Sequence, residues 1–498
     1  MAKLPADCLN EIFEYLEHDK FSLYSCLLVN RLWCQVSVRI LWRDIWSFKP
    51  SASSAPIKYR SNMLSQILSV LISCLPKESK DLLYKNEIFI SMPTSKSPFF
   101  NYVTFFQVFS FCEINQMIDI VIKYKPITSM SLDYNKYLIT QEIIKMFMSQ
   151  IFSLKKLIYY NSNYNKNHNN SFNISFIYFP GAKDRLINLS ELNCDSNIHS
   201  EFFYQLSQLC HNLQSITIRF ENFISVGLSD LIISQNNLKN LKLIQLYNNI
   251  INWSDIIPSL KKINTLTNLI FCGKDNSVPM SFISSYSNLQ LLNLTFFNES
   301  AFKDFKNLQN IIFSNLKVLK IPFEGPKPEI LLQFLKNNGN NINELNIDGI
   351  NHLVKSSISK FCPNLKKLFI IFNKNELNLL KNIFKNCKFL ESINVWCSNQ
   401  HLNEKDLLNV VAKYSPKNFY KLKIFNFTQS TLLSKDLESF FLLWNNRLPK
   451  KSLVLIIIKD GYEKNSLDMN LENMKIIKKF INLGVIKKFE IEKYDPEE

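Results

Sequence analysis

At 498 residues and 58.4 kDa the chain exceeds what one hydrophobic core normally holds, so two or three globular domains or one elongated repeat array are expected. Apolar residues at 46% against 20% charged, with 40 Phe and 19 Tyr, exclude a disordered chain. The eight glycines are so widely scattered that neither G-x-G-x-x-G, G-x-x-x-x-G-K-[ST] nor G-x-S-x-G can be written, and the formal charge of +16 is spread over single lysines that read as solvated faces, not as a nucleic-acid surface.

The chain opens with "LPADCLNEIFEYLEHDKFSLYSCLLVNRLWCQVSVRILWRDIW". Leu9, Ile12, Phe13 and Leu16 recur at i, i+3, i+4 and i+7, which predicts an amphipathic helix begun near Pro5. Ser22 is suited to cap a second helix, "LYSCLLV", apolar almost all round. A third is predicted to hold Leu32, Trp33 and Val36 and to end before "ILW". Three short helices leave little room for a self-sufficient core, so their apolar surplus requires a partner surface.

This segment, residues 1–46, resembles the F-box, the helical module by which substrate receptors dock on the Skp adaptor of SCF-type cullin-RING ubiquitin ligases. The resemblance rests on Leu4-Pro5, Leu9, Ile12, Phe13, Leu16, Leu23, Cys26, Leu27, Val29, the Asn30-Arg31 pair before Trp33, and Leu41-Trp42. It implies an adaptor-binding set of Leu4, Pro5, Leu9, Ile12, Phe13, Leu16, Leu23, Leu27, Val29 and Trp33.

"SFKPSASSAP", with small residues and two prolines, marks a linker over 47–60. From 61 to 125 the pattern predicts packing helices, carried by "NMLSQILSVLISCL" and "FFQVFSFCEINQMIDIVIKY". "NSNYNKNHNNSFN" at 161–173 is low-complexity polar sequence and reads as a loop.

From Asn188 a repeat emerges with the unit N-[apolar]-x-x-[apolar]-x-[apolar], as in "NLQSITI", "NLKVLKI" and "NLKKLFI". Its first apolar positions are Leu189, Leu213, Leu238, Leu266, Leu289, Leu316, Ile342, Leu365, Leu390 and Phe419, and eight of these ten follow an Asn. "ITSMSL" from Ile127 and "LKKLIY" from Leu154 are read as degenerate opening repeats, and "IKKFEI" from Ile486 as a closing one. The fourth and sixth positions share one face of a strand, which a single strand cannot bury; stacking units in a parallel sheet buries it, with helices such as "PEILLQFLKNN" and "EKDLLNVVAKY" returning behind. The pattern resembles leucine-rich repeats over roughly residues 127–491, within a solenoid domain of 126–498. Asn222, Asn298, Asn351 and Asn399 fall nine residues after the first apolar position, not eight, so an irregular inner turn is expected. Cys210, Cys362 and Cys387 each precede a repeat's first Leu by three positions and resemble the cysteine-containing class.

The expected fold is therefore α/β: a three-helix F-box followed by a solenoid with a parallel sheet on its concave face and helices on its convex face. The expected function is non-catalytic, the F-box held by the Skp adaptor and cullin scaffold and the repeats holding an unknown protein substrate. A ubiquitin-independent scaffold for an acidic partner is the alternative. Candidate substrate-facing residues are the exposed positions Gln214, Lys239, Gln290, Lys317 and Lys366, with Ser215, Asn240 and Lys367 beside them. The six histidines form no motif with Cys or Ser, no close Cys or His pairing suits a metal, and no cofactor is expected. No apolar run approaches the length needed to span a bilayer, and Asp7 and Glu11 break a signal-like start, so cytoplasm or nucleus and reduced thiols are expected.

Overall fold

The computed structural model describes residues 4–48, 57–89, 98–123, 132–160, 176–246, 251–273, 278–348, 351–426, 430, 432–459 and 467–493. The chain divides into two compact units, residues 1–240 with 254–260, and residues 241–253 with 261–498. Fourteen strands are found among the described residues, in a sheet whose strand order follows chain order. They are β1 Val108–Ser110, β2 Lys156–Tyr159, β3 Glu191–Asp195, β4 Ser215–Phe220, β5 Asn240–Gln245, β6 Asn268–Gly273 and β7 Leu291–Phe296. The series continues with β8 Val318–Ile321, β9 Glu344–Ile347, β10 Lys367–Ile370, β11 Ser392–Cys397, β12 Lys421–Asn426, β13 Leu453–Lys459 and β14 Ile486–Lys493.

Among the described residues of the first unit the α-helices are α1 Ala6–Glu14, α2 Lys20–Leu27, α3 Arg31–Leu41, α4 Ile57–Cys74, α5 Lys77–Lys85, α6 Phe111–Lys123, α7 Leu132–Gln150, α8 Ala182–Leu186, α9 Ser200–Leu209, α10 Val226–Ile233 and the short α11 Ile257–Leu260. The predicted return segments of the second unit are helices at Pro328–Asn338 and Glu404–Tyr414, burying Leu331, Leu335, Leu407, Leu408 and Val411 as their spacing requires. Other repeats return through 3-10 turns, at Ser281–Ser285 and Glu299–Asn307.

The repeat phase survives intact in the ladders. Leu319, Leu345, Leu368, Ile393, Leu422 and Leu455 are register mates across β8 to β13, and all are buried. Each such side chain contributes about 1.5–3 kcal/mol by leaving water. The Asn ahead of the first apolar position has a visible job: Asn288 Nδ2 donates to the Asn264 carbonyl at 3.1 Å, and Asn364 Nδ2 to that of Asn340 at 2.9 Å. In these two repeats one side chain thereby ties the turn to the preceding repeat, where the backbone is leaving regular structure.

Three expectations need correction. The sheet starts at β1, inside the stretch read as wholly helical, because "FFQVFS" extends while only the residues from Phe111 onward coil into α6. "ITSMSL" supplies no repeat between β1 and β2, which pair directly; residues 127–131 lie outside the described residues and Leu132 opens α7. β13 is a full repeat that the pattern missed, because Ser452 stands where the first apolar residue should and no Asn precedes it. The inner Asn residues do not behave uniformly: Asn298 and Asn351 cap the segments after them, accepting from Ser300 N at 2.9 Å and Val354 N at 3.2 Å, while Asn222 and Asn399 are exposed. Most of the expected linker, and the polar segment 161–173, lie outside the described residues; α4 begins at Ile57.

Candidate functional site

The candidate residues lie on the N-terminal helices and on or just ahead of the outward positions of the strands. Among the helices, Pro5 opens α1 as its spacing suggests. α2 is begun by Asp19, not Ser22: the carboxylate accepts from Ser22 N at 3.1 Å and from its hydroxyl at 2.6 Å, and these bonds hold Asp19 below the usual carboxylate range. Asn30 caps α3 by accepting from Trp33 N at 3.0 Å, and α3 runs on through Ile40 and Leu41, past its expected end. Glu14 forks onto Arg43, whose guanidinium lowers the Glu14 carboxyl through that hydrogen bond and its charge.

Leu9, Phe13, Leu23, Cys26, Val36, Ile40 and Leu41 form the core of these helices, with Leu16, Leu27, Leu32, Trp33 and Trp42 packed against it. Phe13 and Trp33 meet edge to face at 5.1 Å. Leu9, Phe13 and Leu23 are thus withdrawn from any partner, and Leu16, Leu27 and Trp33 are only half available. Of the expected contact set, Leu4, Pro5, Ile12 and Val29 are exposed. The pattern in the sequence does not mark the most exposed large side chains of these helices: Tyr15 is 90% exposed, Phe21 88% and Leu28 89%, with Tyr24 about half exposed. Phe21, Tyr24 and Leu28 recur at i, i+3 and i+7 and so line one side of α2. A helix apolar all round with only Leu23 and Cys26 buried leaves such a stripe, and that was the available signal.

The end of this module meets the start of the sheet. Gln107 N donates to the Arg43 carbonyl at 3.0 Å, and Trp46 Nε1 donates to the Val108 carbonyl at 2.9 Å. Trp42 lies 4.3 Å from the Tyr102 ring and meets Phe106 edge to face.

A second surface is the open sheet face of the second unit. Outward positions align in rows: Glu344, Lys367, Ser392 and Lys421 in one, Lys320, Asn346, Phe369, Asn394 and Lys423 in the next. They floor a groove of about 590 Å³ that reaches Tyr420, Ile458 and Lys493. Gln214, Lys239, Gln290, Lys317 and Lys366 are exposed but stand one residue ahead of the strands. Their carbonyls make the inter-repeat bonds, as when Lys366 O accepts from Glu391 N and Ser392 N. In each of these strands the outward positions are the next residue and every second one after it, and Ser215, Asn240 and Lys367 each hold such a position on their own strand.

The cysteines at the repeated position, Cys210, Cys362 and Cys387, are buried in the packing. Cys210 Sγ lies 3.1 Å from the Leu186 carbonyl and Cys387 Sγ 3.5 Å from that of Cys362, and burial pushes both thiols up to about 12. Among the described residues no group of three or more His, Cys, Asp or Glu is placed to share a cation, and no helix is long and apolar enough to cross a membrane.

Residues 1–47 match the F-box-like family model. No curated protein is similar to the chain by sequence. Among solved structures, the leucine-rich repeat-containing protein LegL7 from Legionella pneumophila is similar over 58% of this chain and 98% of its own, at 15% identity and a TM-score of 0.38. With the N-terminal helices assigned by that match, and the in-phase parallel strands, Asn ties and returning helices by their geometry, the chain is an F-box-like domain followed by a leucine-rich-repeat solenoid.

Proposed function

We propose that the protein is the substrate-recognition subunit of an SCF-type cullin-RING ubiquitin ligase, working in the cytoplasm or nucleus. F-box domains bind Skp adaptors, and the observation that carries this reading is the exposure of Phe21 and Leu28 on a module whose core is already complete. Large apolar side chains held open on an ordered helix are stabilised by a partner that covers them, each by about 1.5–3 kcal/mol. The solenoid then holds a protein substrate near a ubiquitin-loaded enzyme, and the chain contributes proximity while other subunits supply the chemistry.

Capture of adaptor and cullin from cells on the full chain tests this. Phe21→Asp with Leu28→Asp is expected to cut adaptor recovery by about 100-fold or more, since two burial contributions are lost, with an unchanged far-UV spectrum. Adaptor that fails to bind the parent chain, or that binds the double variant equally well, rules the reading out.

A further inference from the structure

We propose that the groove on the open face of β8 to β14 docks an extended peptide segment whose acidic side chains are spaced about three residues apart. The proposal rests on the reading that the solenoid face holds a protein substrate, and it names the chemistry of that substrate.

Three observations carry it. The groove is lined by five lysines and three glutamates, a surplus of two positive charges (5 − 3) on a concave surface. Glu344 is engaged by Lys320 at 3.5 Å and by Lys367 at 3.1 Å, and Glu492 by Lys423 at 2.7 Å, whereas Lys421 and Lys493 pair with no carboxylate among the described residues. The second observation is Asn346, which is only 7% exposed, lines the groove, and has an Oδ1 with no hydrogen-bond partner. A buried carbonyl oxygen left unpaired requires a donor, and a peptide N–H is one. The third is spacing. Lys367 and Lys421 are both register mates of Ser392, two strands apart, hence about 10 Å between backbones, which a chain in the extended polyproline II conformation covers in about three residues while returning its side chains to the same face.

The same lining disfavours a nucleic acid. A phosphate backbone presents unbroken negative charge, so it would meet Glu344, Glu391 and Glu492 as repulsion. Discrete carboxylates can sit on the lysines and step over the glutamates. Phe369 and Tyr420 give the segment's small apolar residues a surface between them.

Fluorescence anisotropy on the full chain decides it, with a labelled ten-residue peptide carrying Glu at every third position, its Gln counterpart, and single-stranded RNA of similar length. The Glu peptide is expected to bind at least tenfold more tightly than the Gln peptide. Lys367→Glu with Lys421→Glu is expected to lose tenfold or more, at an unchanged melting temperature. Asn346→Leu is expected to lose several-fold while leaving the salt dependence as it was. Equal binding of the two peptides, indifference to the double charge reversal, or RNA that binds more tightly at the same lysines overturns the proposal. Adaptor capture on the same preparations separates the two readings. Capture without peptide binding overturns the peptide proposal alone, and peptide binding without capture supports the groove while overturning the ligase reading.

Discussion

Gly227 in α10 shows how closely the repeats are stacked. A methyl group added there would lie 2.3 Å from the Ser200 carbonyl oxygen and 3.1 Å from Phe203 Cβ, so α9 and α10 touch backbone to side chain with no space to spare. The carbonyl belongs to the first turn of α9 and cannot swing aside as a side chain would. Gly227→Ala is therefore expected to destabilise by about 1–3 kcal/mol despite the better helix propensity of Ala, read as a shift of the denaturant midpoint. The buried thiols obey the same economy of space: Cys210, Cys362 and Cys387 are fully buried, and two of them meet a carbonyl of the preceding repeat.

The turn after β9 contains the most strongly perturbed carboxylate of the second unit. Burial raises the Asp348 carboxyl to about 7, against the opposing pull of Lys355 and a backbone hydrogen bond from Ile371. Lys355, on the helix His352–Phe361, is committed instead to the buried Glu376 at 2.7 Å, which also accepts from Asn373 N at 2.8 Å. Asp348 Oδ1 has no partner. An unfolded Asp titrates near 3.9, so between about pH 4 and 7 the native chain holds a proton that the unfolded chain has released. Stability from this group is accordingly full below about pH 4 and falls as pH rises through 7. Asp348→Asn is expected to be the more stable protein at pH 8, by at most about 4 kcal/mol, with the gap closing toward pH 4 in urea titrations at each pH.

Within the first unit, the F-box-like domain closes the sheet as well as offering a docking stripe. Gln107 N donates to Arg43 O, and Gln107 O in turn accepts from Lys155 N at 2.8 Å and Lys156 N at 3.0 Å, so Arg43 stands where a preceding repeat would. An uncovered first strand would be open to pairing with other chains, and Trp46 is bonded to the short β1 through the Val108 carbonyl while Trp42 packs on Tyr102 and Phe106 just ahead of it. Trp46→Ala is expected to raise amide exchange at Val108–Ser110 and to speed proteolysis between the domain and α4, while exchange in β8 to β12 stays as it was; unchanged exchange at β1 would refute the capping role.

The period of the repeat was legible in the residues because each unit solves the same local problem: a strand with apolar fourth and sixth positions, and an Asn to tie the turn. Leu345, Leu368 and Leu422 could be placed from spacing alone, and so could the helical character of residues 328–338 and 404–414. The two strands missed, β1 and β13, are those whose local pattern is ambiguous, one inside an apolar run and one begun by Ser452. The division of labour on α1 to α3 was not legible, since Phe13 and Phe21 are alike in type and differ only in what lies opposite. Phe13 meets Trp33 across the bundle, and Phe21 meets solvent. The same holds for Asn346 and Lys421, which lie on β9 and β12, three strands apart, and line one groove only because the register of the intervening strands aligns their rows. Periodicity is a property of adjacent residues and can be read along the chain, whereas exposure and charge pairing depend on which distant segments come to rest against each side chain.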